Sequence, residues 1–392
     1  MTRTSMRPLN VTGYSMVSAL GVGRDQHLAA LSEGRTGLQQ PSIALPFETA
    51  AGEVPVTLPE LPESMAVRST RISRMAALLL EGLDEPLRRA RERWRPERIA
   101  VLLGTSVAGA EATENAYRTY IEEGQFPKTY DFQRQHTFGA VLHVVAELVG
   151  AKGPAWMAST ACTSSGKPFA TARRLMAADL IDAAVVGGLD TLCELTLTGF
   201  QSLQALDVKP CRPFNVDRGG ISIGEGGVLA LVEREGDPRV LVGGVGETSD
   251  CYHISAPHPE GSGARQAMAD AMAQAGCKPE DIDHVNAHGT GTRLTDIAEA
   301  KAIGSLLPAE VPVVSTKGYT GHTLGAAAAL EFAFAACAIE EGWIPRSLGS
   351  EPKDPEIGLT VPTESTRGSF RRVISNSFAF GGNNVSLLVE AP

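Results

Sequence analysis

Short runs of β-branched and apolar residues recur along the chain, each closed by a glycine or small-residue turn. They include RIAVLLGTS from Arg98, DAAVVGGLD from Asp182, GGVLALVE from Gly226, RVLVGGVG from Arg239, then DHVNAHGT, VPVVSTKG, RVISNSFAFGG and VSLLVE. Their length and flanking turns predict strands. Between them, SGARQAMADAMAQAG, DIAEAKAIGSLL and the alanine-rich GAAAALEFAFAACAIEEG carry helical patterns. Strands alternating with helices predict an α/β architecture whose sheet is covered on both faces. AWMAST, residues 155–160, reads as one more buried strand, and FATARRLMAADLI as the amphipathic helix after it.

The pattern also repeats itself faintly. LNVTGYSMVSALG near the start and RVLVGGVGETSD at Arg239–Asp250 both read as an opening strand with a glycine turn, followed by similar lengths of strand and helix. Two pseudo-equivalent halves are expected, residues 1–236 and 237–392. No low-complexity linker separates them, so they should share one core.

Composition narrows the function classes. With 392 residues the chain can bury a deep core, and 43% hydrophobic with 20% charged residues is ordinary globular usage. A net charge of −10 argues against a general binder of nucleic acid or anionic membrane. No run approaches the length of a membrane span and no secretory leader is recognisable, which makes a cytoplasmic protein the expectation. The six cysteines include no CxxC pair, so neither a zinc knuckle nor a disulfide framework is expected.

One cysteine stands out by its neighbours. In MASTACTSSGKPF, Cys162 falls between a strand and a helix, with Thr163, Ser164 and Ser165 as capping types. A thiolate there would gain from free N–H groups and a helix dipole that lower its pKa, and its own N–H could face an oxyanion. Pro168 keeps the regular helix from starting before about Ser165. Two histidines stand in comparable loops: His288 in NAHGTGT, beside the hydroxyls of Thr290 and Thr292, and His322 in TKGYTGHTLG, five residues after Lys317. Glu331, on the alanine-rich helix, would be a buried carboxylate needing a cation, and Lys317 is the natural candidate. The loop NSFAFGGNN places Phe380 before two glycines, a turn that can present a second backbone N–H.

Taken together and in this order, these blocks resemble a β-ketoacyl-acyl-carrier-protein synthase of the decarboxylating Cys-His-His class. The resemblance runs from VTGYSMVSALG through STACTSSG, CRPFNVDRGGISIGEGG, NAHGTGTRLTDIAE and TKGYTGHTLGAAAALE to FAFGGNNVSLLVE, nearly the whole chain. It implies a duplicated thiolase-like fold of αβαβα layers, assembled as a homodimer or as a heterodimer with a related subunit. Cys162 falls on the acyl-accepting nucleophile, His288 and His322 on the catalytic histidines, Lys317 and Glu331 on the lysine and carboxylate behind them. Phe380 falls on the gate, whose N–H joins that of Cys162 in an oxyanion hole. Thr290 and Thr292 match pantetheine-binding positions, and Val107 and Phe200 match pocket-lining ones. The resemblance implies no cofactor and no metal, since phosphopantetheine arrives on the carrier protein.

Departures from the family pattern point to the acyl chain. Lys167 stands where relatives carry histidine or a neutral residue, and Asn383 replaces a threonine beside the gate, so both are expected to bear on chain length and shape. STACTSSGKPF with LCELTLTGFQSL looks closer to ketosynthases of specialised bacterial clusters, such as aryl polyene pathways, than to the housekeeping enzyme. An acidic carrier protein needs a local basic patch, and Arg68, Arg71 and Arg74, three apart, would share a helix face. Two other readings compete. A non-condensing, chain-length-setting partner subunit would be expected to lack the cysteine, and a coenzyme A-dependent thiolase-type enzyme the two histidines in these motifs.

Overall fold

A computed structural model describes residues 7–392. Ten strands make the path of one large sheet: β1 Leu9–Ser18, β2 Ile99–Gly104, β3 Ala155–Ala158, β4 Ala183–Asp190, β5 Gly226–Glu233, β6 Val240–Ser249, β7 His284–Asn286, β8 Val313–Val314, β9 Arg372–Phe378 and β10 Asn383–Glu390. Their spatial order is β8-β7-β9-β10-β6-β1-β5-β4-β2-β3. Each half of the chain therefore contributes five strands in the same internal order. In both, the outer three are parallel and the inner two antiparallel. The halves meet where β1 and β6 pair antiparallel through Leu9↔Val242, Asn10↔Leu241 and Val11↔Val240.

Seven of the helices bear on the site and its surroundings: α1 Arg71–Glu81, α2 Ala110–Glu123, α3 Phe138–Val149, α4 Lys167–Ala177, α5 Ser262–Ala275, α6 Arg293–Gly304 and α7 Ala327–Glu341. The central strands are buried along nearly their whole length, and alternate residues serve different cores. Ala100, Leu102, Ala184, Val186, Val228 and Ala230 face a central core with α4 and α7. Ile99, Val101, Leu103, Ala183, Val185 and Leu229 face α1 and α3. In the second half, Val285, Ile374 and Leu388 pack with α5 and α6. The layering is thus outer helices, half-sheet, central helices, half-sheet, outer helices. It matches the α/β fold that the alternation of strands and helices predicts.

The alanine-rich α7 has every residue from Ala327 to Ala338 buried, and Phe332 meets Phe169 of α4 with ring centroids 4.8 Å apart. Small side chains are what allow the two central helices to lie this deep.

One strand departs from expectation. β3 is the edge of the sheet, Ala155 is exposed and Trp156 is 51% exposed, so AWMAST is not a buried strand. An apolar run alone cannot distinguish a strand covered by its own chain from one left uncovered at an edge. Exposed aromatic residues also gather between residues 117 and 138, where Tyr117, Tyr120 and Phe126 stack in sequence and Phe132 and Phe138 are exposed. Among the described residues no helix is long and apolar enough to cross a membrane.

Candidate active site

Loops at the carboxyl ends of the parallel strands converge on one cavity, as crevices in open α/β sheets do. β3 leads to Cys162, β2 to Ser106 and Val107, β7 to His288, β8 to Lys317 and His322, and β9 to Phe380. The cavity, of about 260 Å³, is lined by Cys162, His288, His322, Phe380, Val107, Phe200, Thr290 and Thr292 among others. Seven of the sequence-predicted groups, drawn from loops nearly 300 residues apart, plus the nucleophile candidate, thus face one space.

The chain turns sharply to bring Cys162 there. Ala161 takes a left-handed conformation, φ 51°, which a residue with a Cβ rarely adopts. Ser164 and Thr163 stabilise the turn: the Ser164 hydroxyl donates to Ala161 O at 2.6 Å and accepts from Thr160 N at 2.9 Å, and Thr163 Oγ1 donates to Thr160 O at 2.8 Å. These residues therefore fasten the elbow rather than cap α4, which begins only at Lys167 with Gly166 as its N-cap.

That distance changes the expected acidity of the thiol. Cys162 is five residues short of α4 and buried, and burial pushes it up to about 11, against the lowering effects of Lys317 and of the backbone N–H groups of Phe380 and Cys162 itself. The resting group is a thiol, not the low-pKa thiolate that a helix N-terminus would favour. Alkylation of Cys162 by iodoacetamide should therefore accelerate by about tenfold per pH unit across neutrality, because only the thiolate reacts. A rate already flat at pH 7 would contradict this assignment.

The two imidazoles are held in one tautomer. His322 Nδ1 accepts from Leu324 N at 3.0 Å, so its proton resides on Nε2, which lies 3.0 Å from Cys162 Sγ. His288 Nδ1 faces Lys317 Nζ at 3.3 Å, which likewise leaves Nε2 as the donor. The rings sit 5.1 Å apart at nearly a right angle. Burial lowers both pKa values well below the usual histidine range, the Lys317 charge lowers them further, and for His288 the neighbouring His322 adds to this. Both are neutral at pH 7. The Cys162, His288 and His322 ligand atoms lie within 4.8 Å of one another, spacing a metal could use. A metal-bound imidazole donates its other N–H to an acceptor. Here both Nδ1 atoms meet donors, so the donor set does not suit a metal.

Behind the histidines Lys317 is fully buried, its ammonium bonded to the Glu331 carboxylate and to His288 O, while Ser377 Oγ donates to Glu331 at 3.1 Å. Burial raises Glu331 to about 7 against the pull of Lys317. Phe380, 40% exposed, stands at the rim with its ring 5.9 Å from Phe200. Gly381 and Gly382 follow at φ 82° and 76°, a consecutive left-handed pair that only glycine adopts without strain.

The comparisons with known proteins agree with this geometry. Residues 6–237 match the β-ketoacyl synthase N-terminal domain and residues 240–351 the β-ketoacyl synthase C-terminal domain. The chain belongs to the β-ketoacyl synthase family. It is 32% identical over 404 residues to the Mycobacterium tuberculosis 3-oxoacyl-[acyl-carrier-protein] synthase 2, covering 96% of this chain and 95% of that one. A Staphylococcus aureus protein of the same name is 33% identical over 311 residues, 75% of this chain and 77% of its own. Among solved structures, a ketosynthase in complex with its chain length factor from Xenorhabdus doucetiae superposes with TM-score 0.92 at 34% identity over the whole of both chains. A Burkholderia phymatum β-ketoacyl synthase gives 0.89 at 27%, covering 99% of this chain and all of that one.

Not every residue singled out in the sequence of this β-ketoacyl synthase reaches the cavity. Lys167 does not line it: as the first residue of α4 its ammonium turns to Glu247 of β6 at 3.4 Å, and Arg174 binds the same carboxylate. Asn383 begins β10 and is also off the wall; its carbonyl accepts from Ala379 N at 2.7 Å. Its neighbour Asn384 lines the cavity instead, with its amide on Asp250 Oδ1 at 2.7 Å. The strand's period of two explains the exchange. The arginine trio does not form a free basic face. Arg71 holds buried Glu225 through two bonds, and Arg74 donates to Leu58 O and Pro59 O and pairs with Glu60. Arg68 alone lies in a separate 3-10 turn, Glu63–Arg68.

Among the buried carboxylates that escaped the sequence reading, three bear on the site. Glu299 of α6 accepts from His288 N at 2.8 Å and Gly289 N at 2.7 Å, fixing the His288 loop. Asp296 accepts from Phe214 N and Gly291 N and faces buried Arg218 at 3.3 Å. Burial raises both to about 7. Asp190, at the end of β4, is the third. Nothing local in the sequence marks these acids as buried.

Proposed function

We propose that this β-ketoacyl synthase catalyses decarboxylative Claisen condensation, joining an acyl group carried on Cys162 to the two-carbon unit of malonyl-acyl-carrier protein. The observation that carries this reading is the pair of locked Nε2–H donors, on neutral imidazoles, beside a buried cysteine whose sulfur lies 3.0 Å from His322 Nε2. In the first half-reaction the Cys162 sulfur attacks the acyl-carrier thioester, the tetrahedral oxygen takes the N–H groups of Cys162 and Phe380, and the carrier thiol leaves with the proton. In the second, the malonyl thioester carbonyl accepts from His288 and His322 while carbon dioxide departs, its bonding electrons passing into the enolate. The enolate carbon then attacks the acyl-cysteine carbonyl, and collapse releases the 3-oxoacyl-carrier product and regenerates the cysteine. Neutral donors suit this enolate because they stabilise oxygen charge without being strong enough acids to quench the carbon.

Lys317 and Glu331 hold His288 and its tautomer, and Thr290 and Thr292, whose hydroxyls lie 2.9 Å apart on the cavity wall, meet the incoming phosphopantetheine arm. Val107 and Phe200 shape the acyl site. The arm comes with the substrate, so the chemistry needs no cofactor of the enzyme's own. We further propose that the chain works in the cytoplasm, with acyl carrier protein as its substrate partner. We also propose that a second ketosynthase-like subunit covers its exposed β3 edge; its structural neighbours include a ketosynthase in complex with its chain length factor.

Intact-protein mass spectrometry tests the reading. Purified chain incubated with a mixture of acyl-carrier thioesters should gain one acyl mass, lost in Cys162→Ala, and should release carbon dioxide when malonyl-carrier protein is added afterwards. Failure of every acyl-carrier thioester to load Cys162 would overturn it.

A further inference from the structure

Asp190 is fully buried and receives donors from two loops that are far apart in the chain. From the loop after β2 come Thr105 Oγ1, Ser106 N at 3.0 Å, Ser106 Oγ at 2.6 Å and Val107 N at 3.1 Å. From the turn after His322 comes Gly325 N at 2.6 Å. Each of these donors is uncharged. A carboxylate is acceptor-only with about four lone-pair directions, and it meets these five donors because Ser106 N is shared between its two oxygens.

What the two loops carry gives Asp190 its meaning. Ser106 and Val107 line the cavity on one side. Gly325 follows Leu324, whose N–H fixes the His322 tautomer and whose side chain also lines the cavity. The same Gly325 accepts at its carbonyl from Ser165 N at 3.0 Å, three residues past Cys162. The Leu324–Ala326 turn is thus gripped from both sides, by Asp190 at its N–H and by the cysteine turn at its C=O. The fit allows no slack, since a Cβ on Gly325 would lie 2.6 Å from both Asp190 Oδ2 and Ser106 N.

We propose that Asp190 is a positioning residue that sets two things at once: the register of the acyl-site wall at Ser106 and Val107, and the placement of the Leu324 N–H that aims His322. This rests on the condensing-enzyme reading above. An amide at this position is isosteric, but whichever way it turns its NH2 meets a backbone N–H, either Gly325 N or those of Ser106 and Val107. One of the two loops then loses a bond to residue 190: the Gly325 turn is left with only its longer 3.2 Å bond to Ser106 Oγ, or Val107 N with none.

The test compares Asp190→Asn with wild type in the full chain, using a competing ladder of saturated acyl-carrier thioesters for loading and malonyl-carrier protein for carbon dioxide release. In Asp190→Asn, decarboxylation should fall by about 100-fold, the scale of a 1 Å misplacement, while total loading stays within about threefold and the preferred chain length shifts. Parallel loss of both half-reactions, or no change in either decarboxylation or preference, would overturn the proposal. Thr105→Val, which removes one donor and leaves the Gly325 bond intact, should shift the chain-length preference alone; an unchanged preference also counts against it. A crystal structure of Asp190→Asn reads the same point without activity: the proposal requires displacement of the Leu324–Ala326 turn or of the Ser106–Val107 wall, and fails if both stay. A wild-type chain that neither loads nor decarboxylates would instead sink the condensing-enzyme reading, leaving the crystal structure to judge Asp190.

Discussion

Alanine at His288 or His322 is expected to leave Cys162 open to acylation while malonyl-carrier decarboxylation falls by about 10²–10³-fold, the usual loss when one preorganised donor to a developing oxyanion is removed. The split follows from geometry. In the proposed reaction acylation uses the backbone N–H groups of Cys162 and Phe380, which neither substitution touches, whereas the malonyl carbonyl depends on both Nε2–H groups. His322→Ala also removes the 3.0 Å contact to the sulfur, so a modest slowing of loading is expected there and not in His288→Ala. Single-turnover loading followed by mass, beside carbon dioxide release, separates the two effects. If either variant blocked loading and spared decarboxylation, the assigned roles would have to be exchanged.

Lys317→Met is expected to destabilise the fold by about 3–5 kcal/mol, because removing one member of a buried ion pair strands the other. Glu331 would be left without its cation, in a helix whose residues from Ala327 to Ala338 are all buried. It would meet this by staying protonated, held up by the burial that already raises it to about 7. Adding Glu331→Gln to Lys317→Met should recover much of the lost denaturant midpoint, since the stranded charge is gone. Activity should not return, because His288 Nδ1 still lacks its donor. Recovery of both together would mean that the lysine serves stability alone.

These outcomes depend on groups that differ in how plainly the chain announces them. Strand and helix patterns were readable because both faces of the sheet are buried, which makes the central strands continuous apolar runs. The cysteine and histidine loops were readable because glycines, threonines and serines gather around them. The acids were not. Glu299 lies in DIAEA, where a carboxylate on a helix normally faces water, and Asp190 closes an ordinary strand. Asp190 meets Gly325 135 residues away, and even Glu299, bonded 10 and 11 residues upstream, sits in a sequence that does not show that water is excluded. The arginine trio erred in the opposite sense. Spacing of three predicts a shared face but not whether the charges are already bonded, and Glu225, which takes Arg71, is 154 residues off. Lys167 shows the same limit: adjacency to Cys162 in sequence did not mean adjacency to the cavity, since the first turn of α4 rotates it toward Glu247.

Cys162 and His322 stand at matching points of the two halves, each five residues before the first turn of a central helix. The 3.0 Å between them is therefore a measure of how one half lies against the other, transmitted by Ser165 N to Gly325 O and by Ala329 N to Ser165 Oγ. Neither half owns a reaction centre. In the proposed reaction the first half supplies the nucleophile and the second the two imidazoles, with Phe380 N–H of the second half completing the acyl site of the first. What a duplicated scaffold provides here is a seam along which two otherwise inert turns become one instrument, calibrated by the fit of α4 against α7.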